Sequence, residues 1–535
     1  MSSHLRFYRF SRDNLAAAIV GFTKQVGGTS ARVDASEQFG YLIEYLTNLG
    51  CKSFVVEDKY VDADYMDEHT AFYARCHHSY PNHCSRVHFF AAPCGRARIV
   101  HTLEGLQSDP PRRKRHENLQ RHYLGFMVVR PNPSAFIGRT VLRGWEGVHR
   151  HYSCCREYEV SLAGIVLSVK GLGFQQQDAT TSACATTAIW VALQKSAHDV
   201  RFHTPTCSDI TSNATRFSLE GGRSIPNSGL STAQMCEAVR ASELEPDFFD
   251  VGEDQQLCRH MAHSYLSSGF PVIACIYFYH MRKSKYDAMA AALVAKGKGK
   301  RPEPCWDDGH SIVLVGYRDE PSRSQSVRLR PKDGRKGIRV SMVGEQVTEF
   351  YCHDDRLGPY ARVNCIEPPW GTSDISIEWP GASQPELARI AYLLVPVYPK
   401  VRLSYQDLQG ASLKLLRFLE LNGFPWSLPN LTLDFSIVRG RAYCEKLVTS
   451  RPAIPHHELY GILTHESMPR YVGVCNVGCA SGPLMDILFD TTESRLGDSL
   501  VGLVYRDDLL RGQSKQLDSV VKQYRAVQVP ELLSN

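Results

Sequence analysis

The strongest local constraint in this sequence is the abrupt change of pattern at residue 184. Residues 173–183 are mostly polar, with three glutamines followed by threonine and serine. Downstream, apolar side chains recur on one helical face, at Ala185, Ala188, Ile189, Ala192 and Leu193. The pattern predicts an amphipathic helix that starts near Cys184. The hydroxyl residues Thr180, Thr181 and Ser182 lie where they can cap its free N–H groups.

Cys184 is therefore predicted in the first turn of a helix. The positive end of the helix dipole and the unpaired backbone donors favour a thiolate there over a thiol. The thiolate is the nucleophilic form of cysteine, and the same N–H groups can stabilise an oxyanion. Cys184 is thus a candidate nucleophile among 17 cysteines.

His310 is the candidate base for this thiol. It lies at the start of the apolar run from Gly309 to Tyr317, which predicts a strand with the imidazole at its end. A second strand-like run, Val347 to His353, ends in Asp354 and Asp355. A carboxylate at the matching end of a neighbouring strand can accept the ring N–H and fix the tautomer.

Together and in this order, these segments resemble the papain-like cysteine peptidases, most closely their C39-like branch. The resemblance covers Gly171 to Tyr360. It implies that Cys184 is the nucleophile, His310 the general base and Asp354 the orienting acid. It also places a strand at Pro271 to Phe278 and a helix after Gly229-Leu230-Ser231.

Two positions depart from the family pattern and leave alternatives open. Gln177 lies seven positions before Cys184, one more than is usual, so either Gln177 or Gln176 can supply the side-chain oxyanion donor. Asp354-Asp355 stands where the family often has Asp-Pro. The spacing to Gly358 favours Asp354 as the third member, with Asp355 as the alternate.

The 535-residue length indicates about three domains. We predict an α+β chain in which a papain-like, C39-like peptidase domain at 159–400 is flanked by mixed α/β domains at 1–158 and 401–535. Strand-like runs are predicted at Ser53–Val56, Val87–Ala91 and Tyr123–Val129, and again near Leu431–Val438, Tyr471–Cys475 and Leu500–Tyr505. Helices are predicted over Phe39–Leu49 and Leu408–Leu419.

Composition limits the expected cellular location of the protein and the classes of partner that it can bind. An odd number of irregularly spaced cysteines indicates reduced thiols, so a cytoplasmic location is expected. No apolar run approaches the roughly 20 residues that span a bilayer. The basic stretch 110–116 is predicted to be a solvated loop. Because no aromatic residues interleave with its charges, the sequence disfavours a nucleic-acid partner.

A second group of potential ligands comprises Cys76, His77, His78, His83, Cys84 and His88. Seven residues separate Cys76 from Cys84, whereas zinc sites usually place two to four between paired cysteines. Pro81 makes the intervening segment a turn. We therefore predict an ordinary histidine-rich loop, and neither a metal nor a cofactor.

The combined expectation is an intracellular cysteine peptidase that hydrolyses a peptide or amide bond through a Cys-His-Asp triad and a thioester. Its substrate would be a protein or peptide, and the flanking domains would bind a regulatory protein. Two alternatives share the same residues. One is an acyltransferase, transglutaminase-like enzyme or deamidase, and the other is a non-catalytic papain-fold binding module.

Overall fold

The computed structural model describes most of the chain. The described residues are 4–108, 113–178, 183–200, 203–217, 229–251, 255–297, 301–321, 327–328, 339–366, 374–379, 382–422, 430–449, 454–464, 468–493 and 499–526. Within them, no helix has both the length and the apolar character needed to cross a membrane.

Strands and helices are mixed along the whole described chain. The first part contains β1 (Leu5–Arg9), α1 (Arg12–Thr23), α2 (Ser30–Asp34), α3 (Glu37–Asn48), β2 (Ser53–Tyr60), α4 (Ala63–Ala71), β3 (Cys84–Phe90), α5 (Arg96–Gln107), α6 (Arg113–Arg121), β4 (Tyr123–Val129), β5 (Ile137–Leu142), β6 (Arg150–His151), β7 (Arg156–Leu162) and β8 (Ile165–Gly171). The middle part contains α7 (Cys184–Val200), α8 (Cys207–Ala214), α9 (Thr232–Ala241), β9 (Glu245–Asp250), α10 (Gln255–Ser267), β10 (Val272–Phe278), α11 (Lys283–Lys296), β11 (Gly309–Asp319), β12 (Val327–Arg328), β13 (Arg339–Met342), β14 (Val347–Asp354), β15 (Gly358–Cys365), β16 (Asp374–Glu378) and β17 (Glu386–Val397). The last part contains α12 (Tyr405–Leu421), β18 (Leu431–Arg439), α13 (Gly440–Thr449), α14 (His456–Leu463), β19 (Tyr471–Cys479), β20 (Gly482–Asp490), β21 (Leu500–Tyr505), α15 (Asp508–Gly512) and α16 (Ser514–Ala526).

Two compact units make up the fold, and each is assembled from several segments. The first contains Met1–Glu253, Gly269–Tyr317 and Glu349–Pro396, and the second contains Asp254–Ser268, Arg318–Thr348 and Val397–Asn535. The boundary predicted at 158 lies inside the first unit, and the boundary predicted at 400 lies just after residue 396. The division into three domains stays a prediction.

The first unit opens with an antiparallel sheet in the order β1-β2-β3-β4-β5. The strands predicted at residues 53, 87 and 123 are confirmed as β2, β3 and β4, and the predicted helix is confirmed as α3. Every residue of β3 and β4 is buried, as expected for strands with a core on both faces. The hairpin of β7 and β8 contributes Leu162, Ile165 and Leu167 to the same core.

The prediction of a loop at 110–116 is wrong for residues 113–116. Residues 113–116 form the first turn of α6, and residues 110–112 lie outside the described part of the chain. Arg, Lys, Glu and Gln are good helix formers, and buried Leu119 anchors one face of this helix to the core. The proline pair therefore precedes a helix rather than a longer loop.

The second sheet of the first unit forms a closed, six-stranded barrel. Its strands follow the order β10-β11-β14-β15-β16-β17, and β17 pairs back onto β10. Closure leaves the six strands without a free edge between them. β9 pairs with β17, and β6 pairs with β11. The fold is thus mixed α and β with several sheets, whereas its assignment as papain-like remains an expectation from the sequence.

The second unit has a six-stranded sheet in the order β12-β13-β18-β19-β20-β21, in which β13 and β18 run parallel. The strands predicted from residues 431, 471 and 500 are confirmed as β18, β19 and β21, and the predicted helix is confirmed as α12. Ser404 and Asp407 cap α12 reciprocally, which fixes where it starts. Leu408 of this helix lies directly over Gly473 of β19.

A buried ionic cluster connects neighbouring barrel strands. Asp374 of β16 lies opposite Arg389 of β17 and accepts a hydrogen bond from its Nε at 3.2 Å. Tyr279 and Tyr286 donate to the two oxygens of Asp374 at 2.7 and 2.6 Å. Since Asp374 is fully buried, its charge depends on these partners.

Replacing Asp374 with alanine should lower the free energy of unfolding by about 3–5 kcal/mol, because Arg389 would remain as a buried charge without this carboxylate. Asp287→Ala is the control, since Asp287 pairs with Lys283 on exposed helix surface and should cost only about 0.5 kcal/mol. Urea unfolding of both variants gives the comparison. Equal losses would contradict a structural role for the Asp374 cluster.

Candidate active site

Cys184 is the first residue of α7, as the sequence predicts. The backbone N–H of Thr187 donates to the carbonyl of Ala183, so the Cys184 N–H belongs to the first turn and has no acceptor within the helix. The predicted inner face is buried, at Ala185, Ala188, Ile189, Ala192 and Leu193. Cys184 itself is only partly buried. The predicted caps at 180–182 lie outside the described residues.

His310 is the second residue of β11 and lies opposite Ile276 of β10 in the barrel. The strands predicted around it are confirmed, since β10 covers Val272–Phe278 and β11 begins at Gly309. The ring of His310 stacks on Phe278 with centroids 6.2 Å apart. His310 is 8% exposed, so a packed sheet holds its imidazole at one end of the barrel.

The two candidate acids meet the same nitrogen of this ring. Asp354 is the last residue of β14, and its Oδ1 lies 2.9 Å from His310 Nε2. Asp355 Oδ1 lies 3.4 Å from the same atom. Both carboxylates are buried. The structure therefore brings Asp354 and its alternate Asp355 together at His310, with Asp354 in the shorter contact.

Arg356 fixes Asp354 from the other side. Its backbone N–H donates to Asp354 Oδ1 at 3.0 Å, and its Nη2 donates to Oδ2 at 2.9 Å. The same Nη2 reaches Glu386 Oε2 at 3.0 Å. The sequence reasoning missed both residues. The position of Arg356 in the turn directly after the candidate acid was an available signal, whereas Glu386 is distant in sequence and had none.

The turn after the acids needs a glycine. A Cβ at Gly358 would overlap the ring of Tyr41, and the Tyr41 hydroxyl donates to the Pro359 carbonyl at 2.7 Å. The Asp354 carbonyl accepts from the Leu357 N–H at 2.9 Å, which closes the turn. Tight packing at Gly358 thus sets the direction in which Asp354 and Asp355 leave the strand.

The charges of the two neighbouring carboxylates determine the protonation state of His310. Burial by itself lowers the pKa of the ring, but the charges of Asp354 and Asp355 outweigh burial. Together with hydrogen bonds to Asp354 and Cys184, they raise the pKa to about 10. Burial raises the pKa of Asp354, yet His310 and Arg356 bring it far below its usual range. At neutral pH the ring is therefore an imidazolium beside an ionised Asp354.

Asp355 titrates differently from its neighbour. Burial and the charge of Asp354 raise the pKa of Asp355 to about 6, against the opposing effect of His310. Arg356 contacts Asp354 directly, and this difference separates the two carboxylates. Asp354 therefore stays ionised, whereas Asp355 gains or loses a proton in the mildly acidic pH range.

Cys184 also lies near His310, close enough to contribute to the raised pKa of the ring. Because Nε2 faces the carboxylates, Nδ1 is the ring nitrogen left for the sulfur. The structure thus brings Cys184 near a ring that is bonded to Asp354.

The glutamines before the helix differ in their surroundings. The Gln176 side chain is buried, donating to the Ser134 carbonyl at 3.3 Å and accepting from the Ile137 N–H at 3.4 Å. Gln177 is only partly buried, and its amide has no hydrogen-bond partner among the described residues. Gln177 is therefore the more available oxyanion donor, although this role stays a prediction.

A cleft of about 810 Å³ opens beside His310 and Arg356. Its wall is partly apolar, with Phe278, Trp379 and Leu387, and it carries both acidic and basic groups. Cys184 is not among the described residues that line it. The cleft therefore reaches the imidazole and Arg356, whereas neither the sulfur nor the carboxylates of Asp354 and Asp355 line it.

The histidine-rich segment of the first unit is packed in separate places. Cys84 is buried in β3, and the His88 ring bonds to the Tyr123 hydroxyl at 2.9 Å. The Cys76 thiol donates to the Phe72 carbonyl. Across the described residues, a single set of histidine, cysteine and acidic side chains brings three possible ligand atoms within 4.8 Å of one another, and that set is His310, Asp354 and Asp355.

Comparison with known proteins assigns no function to this site, so the function has to be inferred from its geometry. No protein-family model matches this chain, and no curated protein matches it. The resemblance to papain-like peptidases therefore rests on the sequence segments around Cys184, His310 and Asp354.

Replacing Asp354 with asparagine should lower the pKa of His310 from about 10 towards its ordinary 6.5. The reason is that the change removes the nearer anion and keeps the shape of the side chain. NMR titration of histidine-labelled protein measures this shift, with the His310 signal assigned from a His310→Asn variant. In Asp308→Asn, which changes another acid of the cleft, His310 should titrate as in the parent chain. An unchanged pKa in Asp354→Asn would contradict the charge assignment.

Proposed function

We propose that this protein is a cysteine peptidase that hydrolyses a peptide or amide bond. The observation that carries the proposal is the position of one buried ring: His310 is bonded to Asp354 at a strand end, and Cys184 at a helix start is near enough to affect the pKa of the ring. Candidates for nucleophile, base and orienting acid are thereby available in one place. The family resemblance of the sequence supports the same assignment.

In the proposed reaction the thiolate of Cys184 attacks the carbonyl carbon of the scissile bond, and the carbonyl oxygen becomes an oxyanion. The free N–H of Cys184 and the side-chain amide of Gln177 donate to that oxyanion. The His310 imidazolium then gives its Nδ1 proton to the leaving amine as the C–N bond breaks. The neutral ring takes a proton from water, the resulting hydroxide attacks the thioester, and the C–S bond breaks to release the acid product and regenerate the thiolate beside the imidazolium.

Asp354 has an orienting role in this scheme. It accepts the Nε2–H of His310 and thereby directs Nδ1 at the sulfur. Arg356 holds the second oxygen of Asp354, so the carboxylate keeps its position when the ring loses its proton. Asp355 adds a second negative charge beside the same N–H. The ring is consequently held as an imidazolium ready to donate.

The test uses an acyloxymethyl ketone probe, an electrophile that alkylates catalytic thiols. We expect one probe per chain on Cys184, with Cys184→Ala unlabelled at that site. Labelling of His310→Ala should be at least about 100-fold slower, because general acid–base assistance contributes factors of that order. Peptide mapping by mass spectrometry identifies the labelled residue.

Cys236→Ala is the control, because Cys236 is also partly buried and helical but lies in the middle of α9 rather than in its first turn. It should label like the parent chain. Equal labelling of Cys184 with and without His310, or preferential labelling of another cysteine, would overturn the proposed function.

The acceptor is determined by a separate experiment. The chain is incubated with a peptide mixture with and without an added primary amine, and the products are analysed by mass spectrometry. Cleaved peptides with free carboxylates in both samples support hydrolysis. Amine-linked products in the second sample would instead identify an acyltransferase, and glutamine side chains converted to glutamate would identify a deamidase.

A further inference from the structure

The group His310, Asp354 and Asp355 contains more acidic ligands than a catalytic triad needs. Their possible ligand atoms lie within 4.8 Å of one another, and all three side chains are buried. Asp355 Oδ2 is buried, and no hydrogen-bond partner for it exists among the described residues. A buried carboxylate oxygen without a partner is costly, and a cation is one way to satisfy it.

The spacing of these atoms is close to that of a tetrahedral metal site. Bonds of about 2.0–2.2 Å to zinc place neighbouring ligand atoms roughly 3.3–3.5 Å apart. His310 Nε2 and Asp355 Oδ1 are 3.4 Å apart, which already fits. Asp354 Oδ1, at 2.9 Å from Nε2, needs only a small outward movement.

We propose that His310 Nε2, Asp354 and Asp355 form a zinc-binding site. An imidazole nitrogen with two carboxylates suits Zn²⁺ better than Mg²⁺ or Ca²⁺, which prefer oxygen ligands alone. Binding replaces the Nε2 proton of His310, which is released to solvent, and the two carboxylates balance the charge of the ion. Cys184 faces the opposite nitrogen of the ring and is not a ligand.

The surroundings of the site allow such an ion to enter and stay. His310 and Arg356 line the cleft, so the ring is the ligand that an ion would reach first from solvent. A water molecule would be the fourth ligand of a tetrahedral zinc ion. Arg356 bonds Asp354 through Oδ2 and through a backbone contact to Oδ1. The side-chain bond to Oδ2 orients the carboxylate as an outer-shell partner would.

This site would oppose the peptidase chemistry, and that consequence rests on the proposed function. A ring with zinc on Nε2 keeps a proton only on Nδ1, and giving it to a leaving amine would create an imidazolate. Zinc and the Nε2 proton therefore compete for His310. The zinc site itself needs neither Cys184 nor a substrate.

The experiment measures binding of Zn²⁺ alone to the full chain carrying Cys184→Ala, using dialysis against chelator-buffered zinc and elemental analysis. Adding Asp355→Asn should remove one zinc equivalent or weaken its binding at least tenfold. Adding Asp308→Asn, which changes an acid of the same cleft outside the group, should leave binding unchanged. Because each comparison shares the remaining cysteines, zinc held by other thiols cancels.

A pH series separates ligation by His310 from binding to carboxylates alone. The ring faces Cys184 from α7, Phe278 from β10, and Asp354 and Asp355 at the end of β14. Release of its one proton should strengthen binding roughly tenfold per pH unit near neutrality. Equal zinc content with and without Asp355, or binding that is independent of pH, would overturn the site. Neither result bears on labelling of Cys184, so the two proposals fail separately.

Discussion

The hydrogen bond from His310 to Asp354 is the interaction on which the candidate site depends. It joins the start of β11 to the end of β14, two strands of a closed barrel, so the distance between the groups is set by strand pairing rather than by a loop. Burial would by itself keep the imidazole neutral. The paired carboxylates reverse that tendency, and a cation is thereby maintained where Cys184 begins its helix.

Two fully buried acids of the barrel are each matched by an arginine and by further hydrogen-bond donors. Asp374 has Arg389 with Tyr279 and Tyr286, and Asp354 has Arg356 with His310. Like Oε1 of Glu349 in β14, the second oxygen of Asp355 lacks a hydrogen-bond partner among the described residues. A buried charge that is incompletely paired is expensive to maintain. Its position beside the ring therefore points to a functional rather than a packing role.

Local pattern in the sequence predicted the parts of the site that lie on regular elements. The period of the apolar residues located the start of α7 at Cys184, and apolar runs located β10, β11 and β14, because these signals depend only on nearby residues. Arg356 lies only two residues after Asp354, but the sequence does not show that its side chain turns back towards that carboxylate. The contact of Glu386 with Arg356 and the closure of β17 onto β10 join residues that are far apart in the sequence. No local sequence pattern predicts such contacts. The sequence did not predict α6, because the proline pair before it and its many charges indicated a loop. Only one leucine of this helix is buried.

The N-terminal residues take part in the site as well as in their own sheet. Arg130 donates to the Gln176 carbonyl at 2.8 Å and is balanced by Glu68 at 3.2 Å, so a buried ion pair fixes the backbone next to Gln177. On the opposite side, Gln38 of α3 donates to the Asp355 carbonyl at 3.3 Å. The glutamine segment and the acidic turn are thus both held from residues before 158. Since neither segment has regular secondary structure of its own, their geometry depends on this support, and the middle of the chain alone would lack it.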